Sequence, residues 1–174
     1  MTSYPHDPID RFMQHYPVDG GMDLAVLRIH LLIEELLFAI IGARFPHPAR
    51  IENAKLTFSQ KTHLAKASFH YDGSDGWIWG AIDALNTART SMAHHLDPVR
   101  TSTKVAAFID LVERSVKHPH AQRPEKVDPL LWAGFILHGE LARIGDVKGE
   151  RRNLLAGLLI KPPQAPGTIS IIPE

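Results

Sequence analysis

The stretch LNTARTSMAHHL, residues 85–96, sets an arginine and a histidine into an otherwise apolar helical pattern. Arg89 and His94 stand in an R-x4-H spacing, and a second histidine, His95, follows at once. An imidazole titrates near neutral pH and can transfer protons, whereas a guanidinium is a permanent cation. The pair is therefore either a chemical site or the solvated edge of a helix.

A helical projection at about 100° per residue separates the two side chains. His94 falls away from the apolar side, and Asn86 and Thr90 lie on the polar strip between it and Arg89. Arg89 itself falls inside the apolar arc, so we expect its side chain to begin at a buried edge. The apolar arc consists of Ile78, Ala81, Ile82, Leu85, Ala88, Met92 and Leu96.

A guanidinium in an apolar arc requires a partner, because an unpaired buried charge is costly. The sequence offers Glu34 and Glu35 on the first long predicted helix, and His30 lies one turn before Glu34. An arginine–glutamate pair between helices is most often structural, and a histidine near a helix C-terminus often only complements the helix dipole. Taken alone, these residues favour a structural role.

Length, composition and charge indicate one globular domain. The chain has 174 residues, of which 44% are hydrophobic and 22% charged, and 19 basic residues balance 19 acidic ones. A zero net charge argues against nucleic-acid binding by bulk electrostatics but leaves room for a small local site. There is no cysteine, and the longest apolar run, LLIEELLFAII, is too short to span a bilayer. We expect a cytoplasmic protein with no membrane partner.

Periodicity and punctuation predict an all-α fold. Residues 1–21 are predicted as an irregular N-terminal arm, 22–160 as a single helical domain, and 161–174 as an extended C-terminal tail. A capping-box pattern, TFSQ, opens the second long helix at Thr57. The predicted helices run over about 23–44, 57–71, 77–95, 98–117 and 130–144, with a short apolar run continuing to Ile160.

Three segments in order resemble small bacterial proteins of the HEPN superfamily. They are LRIHLLIEELL, LTFSQKTHLAKA and ALNTARTSMAHHLDP, and they cover about residues 22–98. HEPN ribonucleases carry an R-x(4 to 6)-H motif near the end of a late core helix. The resemblance implies a HEPN-like bundle of about five helices with irregular N- and C-terminal arms.

The same resemblance implies a metal-independent endoribonuclease of the toxin or defence type, with RNA as its partner. His94 would be the general acid or base, and Arg89 would hold the scissile phosphate. Such proteins usually form homodimers in which two motifs face each other, and an antitoxin or other protein can be a further partner. The resemblance and the projection together give these supporting or RNA-contacting residues: Asn86, Thr90, Glu34 and His30.

A second hypothesis belongs to a different class: a catalytically silent HEPN-like module that binds a protein partner or a nucleotide. The neutral charge and the tail from Lys161 favour it. Thr90 departs from the resemblance, since catalytic members often have Asn, Asp or His after the arginine, but its hydroxyl can still donate to a phosphate oxygen. We expect no cofactor and no metal. The nearest zinc pattern is an H-x-H of His118 and His120 in a proline-rich loop, without any cysteine.

Overall fold

The computed structural model describes residues 7–17, 19–69, 75–94, 98–116 and 123–145, and of His94 and Pro98 it describes the backbone alone. These residues form helices and connecting turns without any strand, which confirms the all-α prediction for this part of the chain. The predicted helix count of about five is too low here, because seven helices are present. They are α1 (Pro8–His15), α2 (Gly21–Arg44), α3 (Pro48–Asn53), α4 (Phe58–Ala67), α5 (Gly76–His94), α6 (Pro98–Ser115) and α7 (Pro129–Ile144).

Helix α2 is the central element, and α1, α3, α4, α5 and α7 all pack against it. The sequence predicts two apolar stripes on this helix, both in the core. The stripe of Val26, Ile33, Leu37 and Ile40 is fully buried, as predicted. The other stripe is only half core: Ile41 is buried, whereas its N-terminal leucines are exposed.

Helices α2 and α7 approach each other closely. A Cβ atom added to Gly134 would lie 2.7 Å from Ile29 Cδ1, and one added to Gly145 would lie 2.5 Å from Ile40 Cγ1. Ile29 precedes Ile40 on the one side, and Gly134 precedes Gly145 on the other, so α2 and α7 run in the same direction. Asp128 caps α7 by accepting the Leu131 N–H at 2.8 Å.

The N-terminal residues depart from the predicted irregular arm over 1–21. Asp7 accepts the Ile9 N–H at 2.8 Å and Pro8 occupies the first turn, a combination that starts α1. Phe12 is completely buried, with its ring centroid 5.7 Å from that of Phe135 on α7. One buried aromatic side chain thus anchors a segment whose prolines suggested irregular backbone.

The predicted capping box at the start of α4 is present. Thr57 Oγ1 accepts the Gln60 N–H at 3.3 Å, and Gln60 Oε1 accepts the Thr57 N–H at 2.9 Å. The helix ends at Ala67, earlier than the predicted 71. The FPHPAR segment, residues 45–50, was predicted only as a break, but its last three residues begin the six-residue α3. The apolar run to Ile160 and the tail 161–174 lie outside the described residues.

None of the helices in the described ranges has the length and the hydropathy that a bilayer span requires.

Substituting Gly134 by alanine tests the close approach of α2 and α7. Gly134→Ala should lower the free energy of unfolding by about 1–3 kcal/mol, because the new methyl group overlaps the branched side chain of Ile29. In the control, Gly80→Ala, the nearest atom is 3.8 Å away, and we expect a gain of about 0.5–1 kcal/mol from helix propensity. Urea unfolding of both variants measures the difference, and equal effects would contradict the predicted overlap.

His138 predicts a pH dependence of stability. Its side chain is 1% exposed, its Nε2 has no hydrogen-bond partner among the described residues, and burial lowers its pKa to about 3. The unfolded chain binds this proton near pH 6.5, whereas the folded protein binds it only near pH 3. The free energy of unfolding therefore falls as the pH is lowered from 6.5 to about 3, by at most about 1.4 kcal/mol per pH unit.

His138→Leu should therefore flatten the dependence of unfolding free energy on pH in that window, whatever its effect at pH 7. The control His63→Leu changes an exposed histidine on α4 and should keep the wild-type slope. If the unfolding free energy of His138→Leu kept the wild-type dependence on pH, the ring would become charged in the folded protein over the same pH range as in the unfolded chain.

Candidate functional site

The candidate site lies where α2, α4 and α5 meet, and its centre is His30 on α2. The side chain is 6% exposed, and its Nε2–H donates to Oδ1 of Asn86 on α5 at 3.3 Å. Phe58, the first residue of α4, stacks on the imidazole with ring centroids 4.0 Å apart. The structure thus brings together two of the predicted supporting residues, His30 and Asn86.

His30 is held in its neutral form. Burial is the main cause that lowers its pKa, and the charges of Arg89 and Lys61 act in the same direction. The hydrogen bond to Asn86 and the charge of Glu34 act in the opposite direction without reversing the shift. A lowered pKa leaves a neutral imidazole at pH 7, with the proton on the nitrogen that faces Asn86.

Glu34 is paired with a lysine and not with Arg89, so the predicted Glu34–Arg89 pair is wrong. Lys61 Nζ on α4 donates to Glu34 Oε1 at 2.7 Å, and the two side chains are 19% and 29% exposed. The alternative acid, Glu35, points to the other side of α2 and binds Arg11 at 3.0 Å. Both acids expected for Arg89 are therefore engaged by other cations.

Arg89 is exposed, which corrects the expectation of a buried edge. It has no ion pair or hydrogen bond with another described residue. Arg89 follows Asn86 by one turn of α5, and Asn86 contacts His30, so Arg89 lies beside the polar cluster, where its charge lowers the pKa of His30. The projection failed because it counts only the residues of α5. Beyond Asn86 the buried positions of α5 are Ala88 and Ser91, so the covered face turns away from Arg89.

The other half of the R-x4-H motif is only partly defined. His94 is the last residue of α5, five residues or about 7.5 Å of helix rise beyond Arg89, and its side chain lies outside the described residues. Thr90 is exposed, as the polar strip predicts. The Arg89–His94 geometry therefore stays a prediction.

Two residues of the cluster, Phe58 and Lys61, were not predicted from the sequence. Both are fixed by the capping box, because Thr57 as N-cap makes Phe58 the first helical residue and puts Lys61 one turn later. The signal was present in TFSQK, but nothing in the sequence shows that this turn of α4 lies against His30 and Glu34.

A second concavity, lined in part by residues of α2 that precede His30, is mostly apolar. It has a volume of about 500 Å³, lies among α1, α2, α6 and α7, and is lined mostly by apolar side chains such as Met22, Val105 and Leu130. Its polar feature is the Tyr16 hydroxyl, which donates to Asp128 Oδ1 at 3.2 Å. Burial, and then the charge of Asp128, raise the pKa of Tyr16, so the phenol stays protonated.

Within the described ranges, no group of three or more acidic, histidine or cysteine side chains is arranged to hold a metal ion. His118 and His120, the weak zinc pattern of the sequence, lie outside those ranges.

Comparison with known proteins returns no match: no family model, no curated protein and no solved structure corresponds to this chain.

The His30–Asn86 bond predicts the effect of Asn86→Ala. Removing the acceptor leaves a buried N–H unpaired, so we expect a loss of about 1–3 kcal/mol in unfolding free energy. Since the bond raises the pKa of His30, that pKa should fall further below its wild-type value. NMR titration of the His30 ring and urea unfolding measure the two effects.

Thr87→Ala, one residue along α5, is the matched control. Its hydroxyl binds the Asp83 carbonyl at 2.9 Å on the exposed side, and we expect a change below about 0.5 kcal/mol. An unchanged His30 pKa in Asn86→Ala would show that the bond does not form in solution.

Proposed function

We propose that this chain is a metal-independent endoribonuclease of the HEPN type, in which Arg89 and His94 act on RNA within a homodimer. One observation carries the proposal: Arg89 is an exposed cation beside the polar cluster, and no described carboxylate neutralises it. A guanidinium in this state is available to a phosphate group.

The surrounding charges support anion binding. Glu34 is the only carboxylate among the site residues predicted from the sequence, and Lys61 holds it at 2.7 Å. His30 is neutral because of its burial, so it adds no charge of either sign. Counting Glu34, Lys61 and Arg89, the described cluster carries one net positive charge, which suits the phosphodiester of a single cleavage site.

In the proposed reaction the 2′-oxygen of the RNA attacks the adjacent phosphorus, and the bond from phosphorus to the 5′-oxygen breaks. His94 would take the 2′-proton or return a proton to the leaving oxygen, since an imidazole can do either near pH 7. Arg89 would bind the non-bridging oxygens and stabilise their growing charge. The products are a 2′,3′-cyclic phosphate and a 5′-hydroxyl, and no metal enters the balance.

The supporting residues have separate tasks in this proposal. Asn86 and His30 form a partly buried hydrogen bond between α5 and α2, one turn before Arg89. Exposed Thr90 would contact RNA through its hydroxyl. Glu34 acts indirectly, because it binds Lys61 and leaves Arg89 without an ion pair among the described residues. A cytoplasmic toxin or defence role, with an antitoxin or other protein partner, completes the proposal.

The second hypothesis, a silent module, has its own supporting observation in the apolar concavity of about 500 Å³. That surface suits an apolar segment of a protein partner better than a nucleotide, because its charged lining residue is Asp128, an acid that repels phosphate. In this alternative Arg89 has no catalytic role, and its replacement would leave partner binding intact.

RNA cleavage by purified protein in excess EDTA tests the proposal. His94→Ala should lower the cleavage rate by about 10²–10⁴-fold, and Arg89→Ala by about 10²–10³-fold. The products should end in cyclic phosphate, detected by their resistance to phosphatase until acid opens the ring.

Two exposed residues away from the site provide matched controls: His63→Ala for the histidine and Arg50→Ala for the arginine. Both should cut RNA at the wild-type rate. Equal cleavage by wild type and His94→Ala would overturn the assignment, and failure of wild type to cut any RNA would favour the silent module.

A further inference from the structure

An exposed apolar stripe runs along α2 on the face that no other described helix covers. Three leucines in it, Leu24, Leu27 and Leu31, are 37%, 39% and 43% exposed, and half-buried Phe38 continues the line. These four residues form the α2 stripe. Large side chains with this exposure, aligned on one helix, are typical of an interaction surface.

The α2 stripe has a polar border on both sides. The Arg11–Glu35 pair closes it on the side of α1, and the Lys61–Glu34 pair closes it on the side of α4. An apolar centre with a charged rim is the common anatomy of a protein–protein interface.

The spacing of the α2 stripe fits another helix. Positions 24, 27, 31, 34 and 38 follow the alternating three- and four-residue steps of a helix–helix seam, and only Glu34 among them is polar. A seam of this kind takes an equally apolar helix as its occupant, and a second copy of the chain supplies one.

We propose that the α2 stripe is the contact between two copies of this chain, packed antiparallel and crossing near Leu31. The inference rests on the homodimer of the proposed function and names its surface. At this crossing Leu31 meets the partner's Leu31 on the two-fold axis, and Leu24 lies against the partner's Phe38.

Charge decides the direction of packing. Arg28 is exposed, has no ion pair with another described residue, and shares one side of the stripe with Glu35, two turns away. In the antiparallel arrangement Arg28 lies beside the partner's Glu35. This acid would then have a second cation near it, in addition to Arg11 of its own copy. A parallel arrangement in register would put Glu34 against the partner's Glu34, a like-charge contact within the seam.

The arrangement also connects the seam with the candidate site. His30 and Glu34 belong to α2 and lie within one turn of Leu27 and Leu31. Pairing through the α2 stripe therefore draws the two polar clusters towards a common axis.

The absence of cysteine in the chain gives a direct test by disulfide cross-linking. Leu31→Cys should form a disulfide-linked dimer rapidly under mild oxidation, because the two copies of residue 31 face each other. Leu24→Cys alone should not, since its two copies would lie about 21 Å apart along the helices, beyond the reach of about 7 Å. The double variant Leu24→Cys with Phe38→Cys should cross-link again.

Ala106→Cys, exposed on α6, measures the background of random collisions. Cross-linking of Leu24→Cys as fast as Leu31→Cys would overturn the antiparallel seam, and Leu31→Cys at the rate of Ala106→Cys would overturn the seam itself.

Sedimentation equilibrium provides a second measurement without cysteine. Leu31→Glu should convert the dimer to a monomer that remains folded, and Arg28→Glu should raise the dissociation constant at least about tenfold, a shift of about 1.4 kcal/mol. Arg50→Glu makes the same charge change on α3 and should leave the dissociation constant unchanged. A wild-type monomer, or a Leu31→Glu dimer, would contradict the inference.

These measurements are independent of catalysis. A protein that cross-links as expected but cuts no RNA would overturn the proposed function and leave the seam in place. A protein that cuts RNA and dimerises elsewhere would overturn the seam alone.

Discussion

The burial of α2 is the constraint on which the rest of the structure depends. Ten of its 24 residues are buried, and five other helices are distributed around it. Gly134 allows α7 to come so close that a methyl group at that position would overlap Ile29. The part of α2 that faces solvent includes the three leucines of the α2 stripe.

The polar residues of the site lie at the margin of this buried surface. His30 is inside the margin and is neutral for that reason, whereas Glu34 lies at its edge and accepts a hydrogen bond from Lys61. Arg89 lies outside, within the influence of the cluster but without a described partner. From His30 to Arg89 the side chains thus change from buried and neutral to exposed and charged. In the proposed function an RNA phosphate would bind at Arg89.

Much of the fold could be predicted from the sequence, and the failures have physical causes. The helices from α4 to α7 follow from periodicity, the Thr57 capping box and the prolines. Helix α1 does not, because its stability comes from Phe12 packing on α7, a contact distant in sequence. Arg89 was misplaced for a similar reason: a projection of one helix cannot show which of its faces the neighbouring helices cover, and here they cover Ala88 and Ser91. The exposure of Leu24 could not be predicted either, since an apolar pattern is the same whether a helix or a second copy covers it.

The capping box at Thr57 has a consequence beyond the stability of a ten-residue helix. It fixes the first turn of α4, and that turn supplies both the ring that stacks on His30 and the ammonium that binds Glu34. The order of this turn thus bears on both His30 and Glu34, which belong to α2. The cap at Thr57 therefore also supports the position of the lysine that neutralises Glu34.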